Sequence, residues 1–212
     1  MGAWDEGLYD NDEALDELGD LLAELDLDDG PVALATVVGL RAWLDGPSES
    51  LERAVRKHTA LLPRLPKPAR ELLELLLRDG EAFARPKARS DRLKEVLGEY
   101  CDGPKYDALL SLPGAEVIIA DLVKRAAEGL DDRLDSARDG YDVSAAGAHL
   151  GVLLELATAG LARPPAARVK HWRRAVERID EATAEEREHF DAYFARFRRG
   201  LSLLDKATQP SS

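Results

Sequence analysis

The C-terminal segment from Thr183 to Leu204 reads TAEEREHFDAYFARFRRGLSLL. Its large apolar side chains recur every three or four residues, which places them on one face of an α-helix. They are Phe190, Tyr193, Phe194, Phe197, Leu201 and Leu204. Thr183, with Glu186 three residues later, matches a capping box at the start of such a helix. The stretch therefore predicts a long amphipathic helix with an aromatic stripe.

The preceding segment repeats the pattern, because Val169, Trp172, Val176 and Ile179 are also three or four residues apart. Together the two segments predict a C-terminal helical hairpin. Elsewhere Val and Ile are sparse and lie in Leu/Ala-rich segments with helical spacing, not in the alternation typical of strands. The chain is therefore predicted to be all-α, a multi-helix bundle of about eight to ten helices.

Helix-breaking and helix-capping residues indicate where further helices begin and end in the rest of the chain. Pro31 suits the first turn of a helix that follows Gly30, and Ser48 is placed to cap the next helix. Ser144 is placed to cap a later apolar helix. We expect an N-terminal helical domain over residues 1–140, with the helices of residues 141–212 packed on it, or one continuous domain.

The charge of the chain is unevenly distributed. The first 29 residues hold 12 acidic side chains and no Lys or Arg, and the net charge of the whole chain is -12. A helix is predicted to follow Asn11, with a buried edge formed by Leu15, Leu18, Leu22 and Leu25. Most of its acids then face outward.

Four of these acids form the acidic stripe: Asp12, Asp16, Asp20 and Glu24. They are four residues apart and share a helix face. Like charges at this spacing repel each other, so a compensating cation is expected. It belongs either to the same chain, where residues 163–206 are mildly basic, or to a partner protein.

The acidic balance disfavours binding to nucleic-acid phosphate, which needs clustered Lys and Arg, and favours a basic protein partner. The longest weakly polar stretch, residues 145–162, is too short for a membrane span and predicts a buried helix. A single cysteine, Cys101, and no secretory signal pattern favour a cytoplasmic protein.

Chemical motifs are sparse. Glu186 and His189 have the spacing of half a di-iron site, but no second Glu-x-x-His exists, so no metal site is predicted. His149 lies in an apolar segment and is interpreted as a core residue. No nucleophile elbow or phosphate-binding loop is present. We expect no catalytic residues, no cofactor and no enzymatic activity.

The N-terminus contains Trp4, Gly7, Tyr9, the pair Asn11-Asp12, Ala14 and Asp16, in that order. Over about the first 25 residues the chain resembles the bacterial family known as domain of unknown function 4259. It departs from the family in having Asp5 where Gly is usual and Tyr9 where Phe is more common. The family has no established chemistry, and its bacterial setting implies an accessory role such as toxin immunity or defence.

The sequence thus favours an acidic helical binding module, a bacterial immunity or inhibitor protein that neutralises a basic toxin or nuclease through the acidic stripe. One alternative is a scaffold that forms a homodimer through the aromatic stripe, which would require those rings to be exposed. A third is a hydrolase, which would require His and carboxylate groups to converge in a pocket.

Overall fold

The computed structural model describes residue 8 and residues 12–25, 30–83 and 106–208. Every regular element in this part of the chain is helical, and no strand occurs in it, so the all-α prediction is confirmed. Most of the N-terminal motif and Cys101 lie outside the described residues.

The described N-terminal residues form five α-helices and one 3₁₀ helix. Their bounds are α1, Asp12–Ala23; α2, Pro31–Leu44; α3, Glu49–Lys57; a 3₁₀ helix, Thr59–Arg64; α4, Lys67–Arg78; and α5, Gly80–Phe83. Pro31 opens α2 as predicted, since proline at the first position lacks only an N–H that would be unpaired there. Ser48 caps α3 as predicted, its hydroxyl accepting from the Leu51 N–H at 3.4 Å.

The second half contains the longest helices. Their bounds are α6, Asp107–Leu110; α7, Ala115–Ser136; α8, Gly140–Ala145; α9, Gly147–Thr158; α10, Ala166–Ala182; a 3₁₀ turn, Ala184–Glu186; and α11, Arg187–Thr208. Helices α10 and α11 form the predicted C-terminal hairpin. Asp205 of α11 accepts a hydrogen bond from Arg173 of α10 at 3.1 Å, and Asp180 pairs with Arg198 across the same two helices.

Helix α9 is the centre of the fold. Every residue from Gly147 to Ala157 is buried, as expected of a mostly apolar helix at the centre of a bundle, and the buried set includes the polar residues His149 and Glu155. It packs on α1, α7, α8 and α11. Among the described helices, none combines the length and apolarity that crossing a bilayer requires.

The buried apolar side chains form one cluster that runs from Leu8 to Leu204. It includes residues on both sides of position 140, so the helices of residues 141–212 share their core with those before them. The division into two domains stays a prediction, with one continuous domain as the alternative.

Two predicted caps are wrong. The Thr183 hydroxyl donates to the Ile179 carbonyl at 3.0 Å, so Thr183 ends α10, and a 3₁₀ turn separates it from α11. Ser144 lies inside α8, and α9 begins at Gly147 without a side-chain cap. Thr183 and Ser144 each lie near the end of one helix, and the next helix follows within a few residues. Sequence spacing alone does not distinguish such a position from the start of the next helix.

Candidate functional site

Helix α1 is held to the bundle by its inner face. Its buried residues are Ala14, Leu18, Leu21 and Leu22, and Leu25 is buried just beyond its end. The predicted buried edge is wrong at Leu15, which is 42% exposed. Leu21 completes the buried face instead, because the helix is rotated toward the row that contains Ala14 and Leu21.

The acidic stripe lies on the outer side of α1, where all four of its residues are exposed. The Glu24 carboxylate pairs with Arg125 of α7 at 2.5 Å. Arg125 also binds Asp121 at 2.7 Å, and the hydrogen bonds to Asp121 and Glu24 raise the pKa of Arg125. Within the described residues, no cation pairs with Asp12, Asp16 or Asp20. The stripe therefore has one carboxylate in an internal pair and three that face solvent.

A fifth acid, Glu17, points inward and anchors the helix. Its carboxylate pairs with Arg133 of α7, and one oxygen lies 3.2 Å from Nε2 of His149 on α9. The cations that pair with the acids of this N-terminal segment within the molecule are therefore Arg125 and Arg133 of α7. Sequence spacing indicated neither of these partners, since each is more than 100 residues from the acid that it contacts.

The C-terminal end of α1 is fixed by Arg41 of α2. Its Nε and Nη2 atoms donate to the Leu22 carbonyl at 2.9 and 2.6 Å. Burial lowers the pKa of Arg41, although the nearby Asp45 carboxylate opposes this. The carbonyls in the last turn of a helix lack partners within the helix, so a guanidinium there both binds one and complements the helix dipole.

His149 is buried, as predicted, but only one of its ring nitrogens is paired. Nε2 contacts Glu17, whereas Nδ1 has no hydrogen-bond partner within the described residues. Burial lowers the pKa of His149 to about 4, and the charge of Arg133 acts in the same direction, against a smaller opposing effect of Asp132. The imidazole is therefore neutral at neutral pH, and Nε2–H donates to Glu17.

The lowered pKa of His149 predicts a specific loss of stability in acid. The unfolded chain takes up this proton below about pH 6.5 and the folded chain only near pH 4, so stability is lost as pH falls through that window. Between about pH 7.5 and about pH 5 we expect His149 to contribute a loss of about 2 kcal/mol in the free energy of unfolding. Urea unfolding of the wild type and of His149→Gln at both pH values measures this as a difference.

The control for that measurement is His171→Gln, because His171 is exposed on α10. This variant should keep the pH dependence of the wild type, whereas His149→Gln should flatten it. Equal slopes for the wild type and His149→Gln would show that His149 titrates normally.

The described residues contain no group of three or more His, Cys, Asp or Glu side chains placed to hold a metal ion. The side chains of Glu186 and His189 lie outside the described part. His149 meets one carboxylate, but it does so in the core under α1.

A second surface, which sequence reasoning missed, lies on the C-terminal hairpin. A cleft of about 420 Å³ runs along α10 beside the end of α11. It is lined by Ala166, Lys170, Arg173, Arg174, Glu177 and Asp205. The signal was present in the sequence, because Lys170, Arg174 and Arg178 are spaced four residues apart.

The aromatic stripe does not form a third surface. Phe190, Phe194 and Phe197 are 2%, 1% and 1% exposed. Phe190 also meets Phe194 edge to face, with ring centroids 6.5 Å apart. The exposure that would have favoured a homodimer through these rings is not observed, and such a dimer stays a prediction without structural support.

Comparison with known proteins gave no match among protein-family models, curated proteins or solved structures. The resemblance to the family of unknown function 4259 therefore stays a prediction. What can be proposed about function comes from the two charged surfaces: the outer face of α1 and the cleft on α10.

Proposed function

We propose that this chain is a non-enzymatic, cytoplasmic binding protein of the bacterial immunity or inhibitor type, whose acidic stripe covers a basic face on a toxin or nuclease. One observation carries the proposal. Asp12, Asp16 and Asp20 are exposed on a docked helix, and no described cation pairs with them.

The spacing of these carboxylates suits a basic target. Residues four apart on a helix are separated by about 6 Å along its axis, so the three aspartates form a row about 12 Å long. A nuclease binds a row of backbone phosphates through Lys and Arg, and a row of carboxylates can occupy the same cations. Such contacts speed association and weaken as salt is added.

The anchoring of α1 supports this role. Glu17, Arg41 and the buried leucines hold the helix in place before any partner arrives. A surface that is already ordered loses less conformational entropy on binding than a flexible segment does. The inner side of α1 thus provides rigidity and leaves the outer side available for recognition.

The side chains between the aspartates allow close approach. Gly19 and Ala23 are exposed on the same face, and a methyl group added at Gly19 would meet nothing within 4 Å. Leu15 adds an exposed apolar group beside them. Because burial of apolar surface favours association, Leu15 is expected to add to the affinity of the charged patch.

The proposal is tested by isothermal titration calorimetry with the protein encoded by the adjacent gene, the expected toxin of an immunity pair. The variant Asp12→Lys/Asp16→Lys/Asp20→Lys should bind at least about 100-fold more weakly, because three favourable charge contacts become repulsive. In the toxin's own activity assay, the wild type should inhibit and this variant should not.

The matched control is Glu71→Lys/Glu74→Lys/Glu128→Lys. It makes the same change in net charge at exposed acids on α4 and α7. It should bind within about threefold of the wild type, since distant exposed charges act only weakly. Equal affinity of the wild type and the acidic-stripe variant, or equal losses in both variants, would contradict the proposal.

A further inference from the structure

The exposed face of α10 carries a row of cations, which we call the basic row: Lys170, Arg174 and Arg178. All three are exposed, and the first two line the cleft on the hairpin. No carboxylate within the described residues pairs with any of them, although Arg178 makes one long hydrogen bond of 3.4 Å to the Leu134 carbonyl.

Two neighbouring arginines of α10, Arg168 and Arg173, differ from the basic row because they form ion pairs within the molecule. Arg168 binds Asp131 of α7 at 2.5 Å, and Arg173 binds Asp205 of α11 at 3.1 Å. These pairs fix α10 to the helices beneath it. They leave the basic row as a charged surface on a rigid support.

We propose that the basic row binds the acidic stripe of a second copy of this chain. Both rows have members four residues apart over eight residues, so each is about 12 Å long. Three cations can therefore face Asp12, Asp16 and Asp20 in register when the two helices lie side by side. Gly19 and Ala23 leave room for the approach of α10.

The two rows do not meet within one molecule. Helix α1 packs on α7, α8 and α9, while α10 packs on α7, α8 and α11, and the side chains of both rows are exposed. The acidic stripe of one copy therefore pairs with the basic row of another, so the contact joins two different surfaces. In a dimer joined in this way, one copy keeps its acidic stripe free and the other keeps its basic row free. Assembly therefore proceeds head to tail beyond a dimer as concentration rises.

Glu177 gives the proposal a variant that strengthens association. It lines the cleft beside Arg174, where it would repel an incoming acidic helix. The variant Glu177→Gln should raise the association constant about threefold to tenfold, since it removes a like charge from the contact. An unrelated surface elsewhere on the chain would not respond to this change.

The primary test is sedimentation velocity of the full chain from about 10 µM to about 500 µM, at about 0.02 M and about 0.3 M salt. The wild type should associate with rising concentration at low salt and become monomeric at high salt. The variant Lys170→Glu/Arg174→Glu/Arg178→Glu should associate at least about 100-fold more weakly. The acidic-stripe variant used for partner binding should lose association equally.

A mixing experiment tests the pairing itself. Each reversed variant alone carries two rows of the same sign, whereas an equimolar mixture again offers opposite rows. Association should therefore return in the mixture. The wild type has a net charge of -12, and each variant changes it by six in one direction or the other, so both variants stay negative. Attraction between opposite net charges therefore does not explain the return of association in the mixture.

The control Lys57→Glu/Arg64→Glu/Lys67→Glu reverses three exposed cations on the opposite half of the chain. It should associate as the wild type does. A wild type that stays monomeric at low salt and high concentration overturns the proposal, as does association that survives reversal of either row. Binding of a single-stranded oligonucleotide that depends on the basic row, without self-association, would assign the row to nucleic acid and also overturn it.

These outcomes are separable from the proposed function. Reversal of the basic row should abolish self-association. At protein concentrations where the wild type is monomeric, it should leave binding to the toxin unchanged, because only the acidic stripe faces that partner. Reversal of the acidic stripe should abolish both. Toxin binding without self-association would support the inhibitor role and overturn the self-association proposal. Self-association without toxin binding would support self-assembly and contradict the inhibitor role.

Discussion

Replacing Trp172 with alanine should lower the free energy of unfolding by about 3–5 kcal/mol, the largest effect expected of any single substitution in the hairpin. The indole is fully buried between α10 and α7, and its Nε1–H donates to Asp131 at 2.5 Å. The Asp131 carboxylate also accepts from Arg168, whose guanidinium lies 5.7 Å from the indole centroid. The loss thus combines a cavity with a broken polar cluster, and urea unfolding measures it.

The variant Trp172→Phe separates these two contributions. It keeps most of the apolar volume but removes the hydrogen-bond donor and a small part of the ring system, so it should cost about 1–3 kcal/mol. A loss from Trp172→Ala that is no greater than that from Trp172→Phe would show that packing of the indole contributes little. A loss below about 1 kcal/mol for Trp172→Ala would contradict the position of α10.

The second large effect is expected at Gly129 of α7. A methyl group there would lie 2.7 Å from Nδ1 and 2.8 Å from Nε2 of His149, so the buried ring or the helix must move. Gly129→Ala should therefore destabilise by about 1–3 kcal/mol, although alanine is the better helix former. The double variant Gly129→Ala/His149→Ala should be more stable than the sum of the single changes predicts, because the obstructing ring is gone.

Gly19 provides the matched control within a helix. A methyl group at this position of α1 meets nothing within 4 Å. Gly19→Ala should therefore stabilise the protein by up to about 1 kcal/mol through helix propensity alone. Effects of the same sign at Gly19 and Gly129 would contradict the packing of His149 against α7.

Local pattern was enough to predict much of the fold. The spacing of Trp172 and Ile179 in one segment and of Phe190 and Phe194 in the next predicts two amphipathic helices, and the structure buries these side chains. Such predictions succeed because helical periodicity is a property of neighbouring residues. The cap at Ser48 succeeded for the same reason, since its partner lies three residues away.

The errors have two sources, a distant one at Leu15 and a local one at Thr183. Leu15 fits a helical row as well as Leu21 does, and only the position of the bundle beneath α1 leaves Leu15 exposed. Thr183 has a partner four residues before it, a bond that competes with capping of the next helix. At Thr183 both competing bonds are local, and residue spacing alone does not show which of them forms.

The candidate surface was likewise predicted in part. Outward placement of the acidic stripe follows from helix geometry, and all four residues are indeed exposed. The pair between Glu24 and Arg125 could not be predicted, because it depends on how α1 crosses α7. The role of Glu17 as an anchor has the same origin, since its partners come from two other helices.

Under the proposed function, α1 is anchored by its inner side, and Asp12, Asp16 and Asp20 serve recognition instead of folding. The most direct measurement is urea unfolding of the acidic-stripe variant that is used for partner binding. Its free energy of unfolding should lie within about 1 kcal/mol of the wild-type value, because exposed charges without partners contribute little to stability. A loss of more than about 2 kcal/mol would show that these carboxylates hold the fold together, and would contradict the claim.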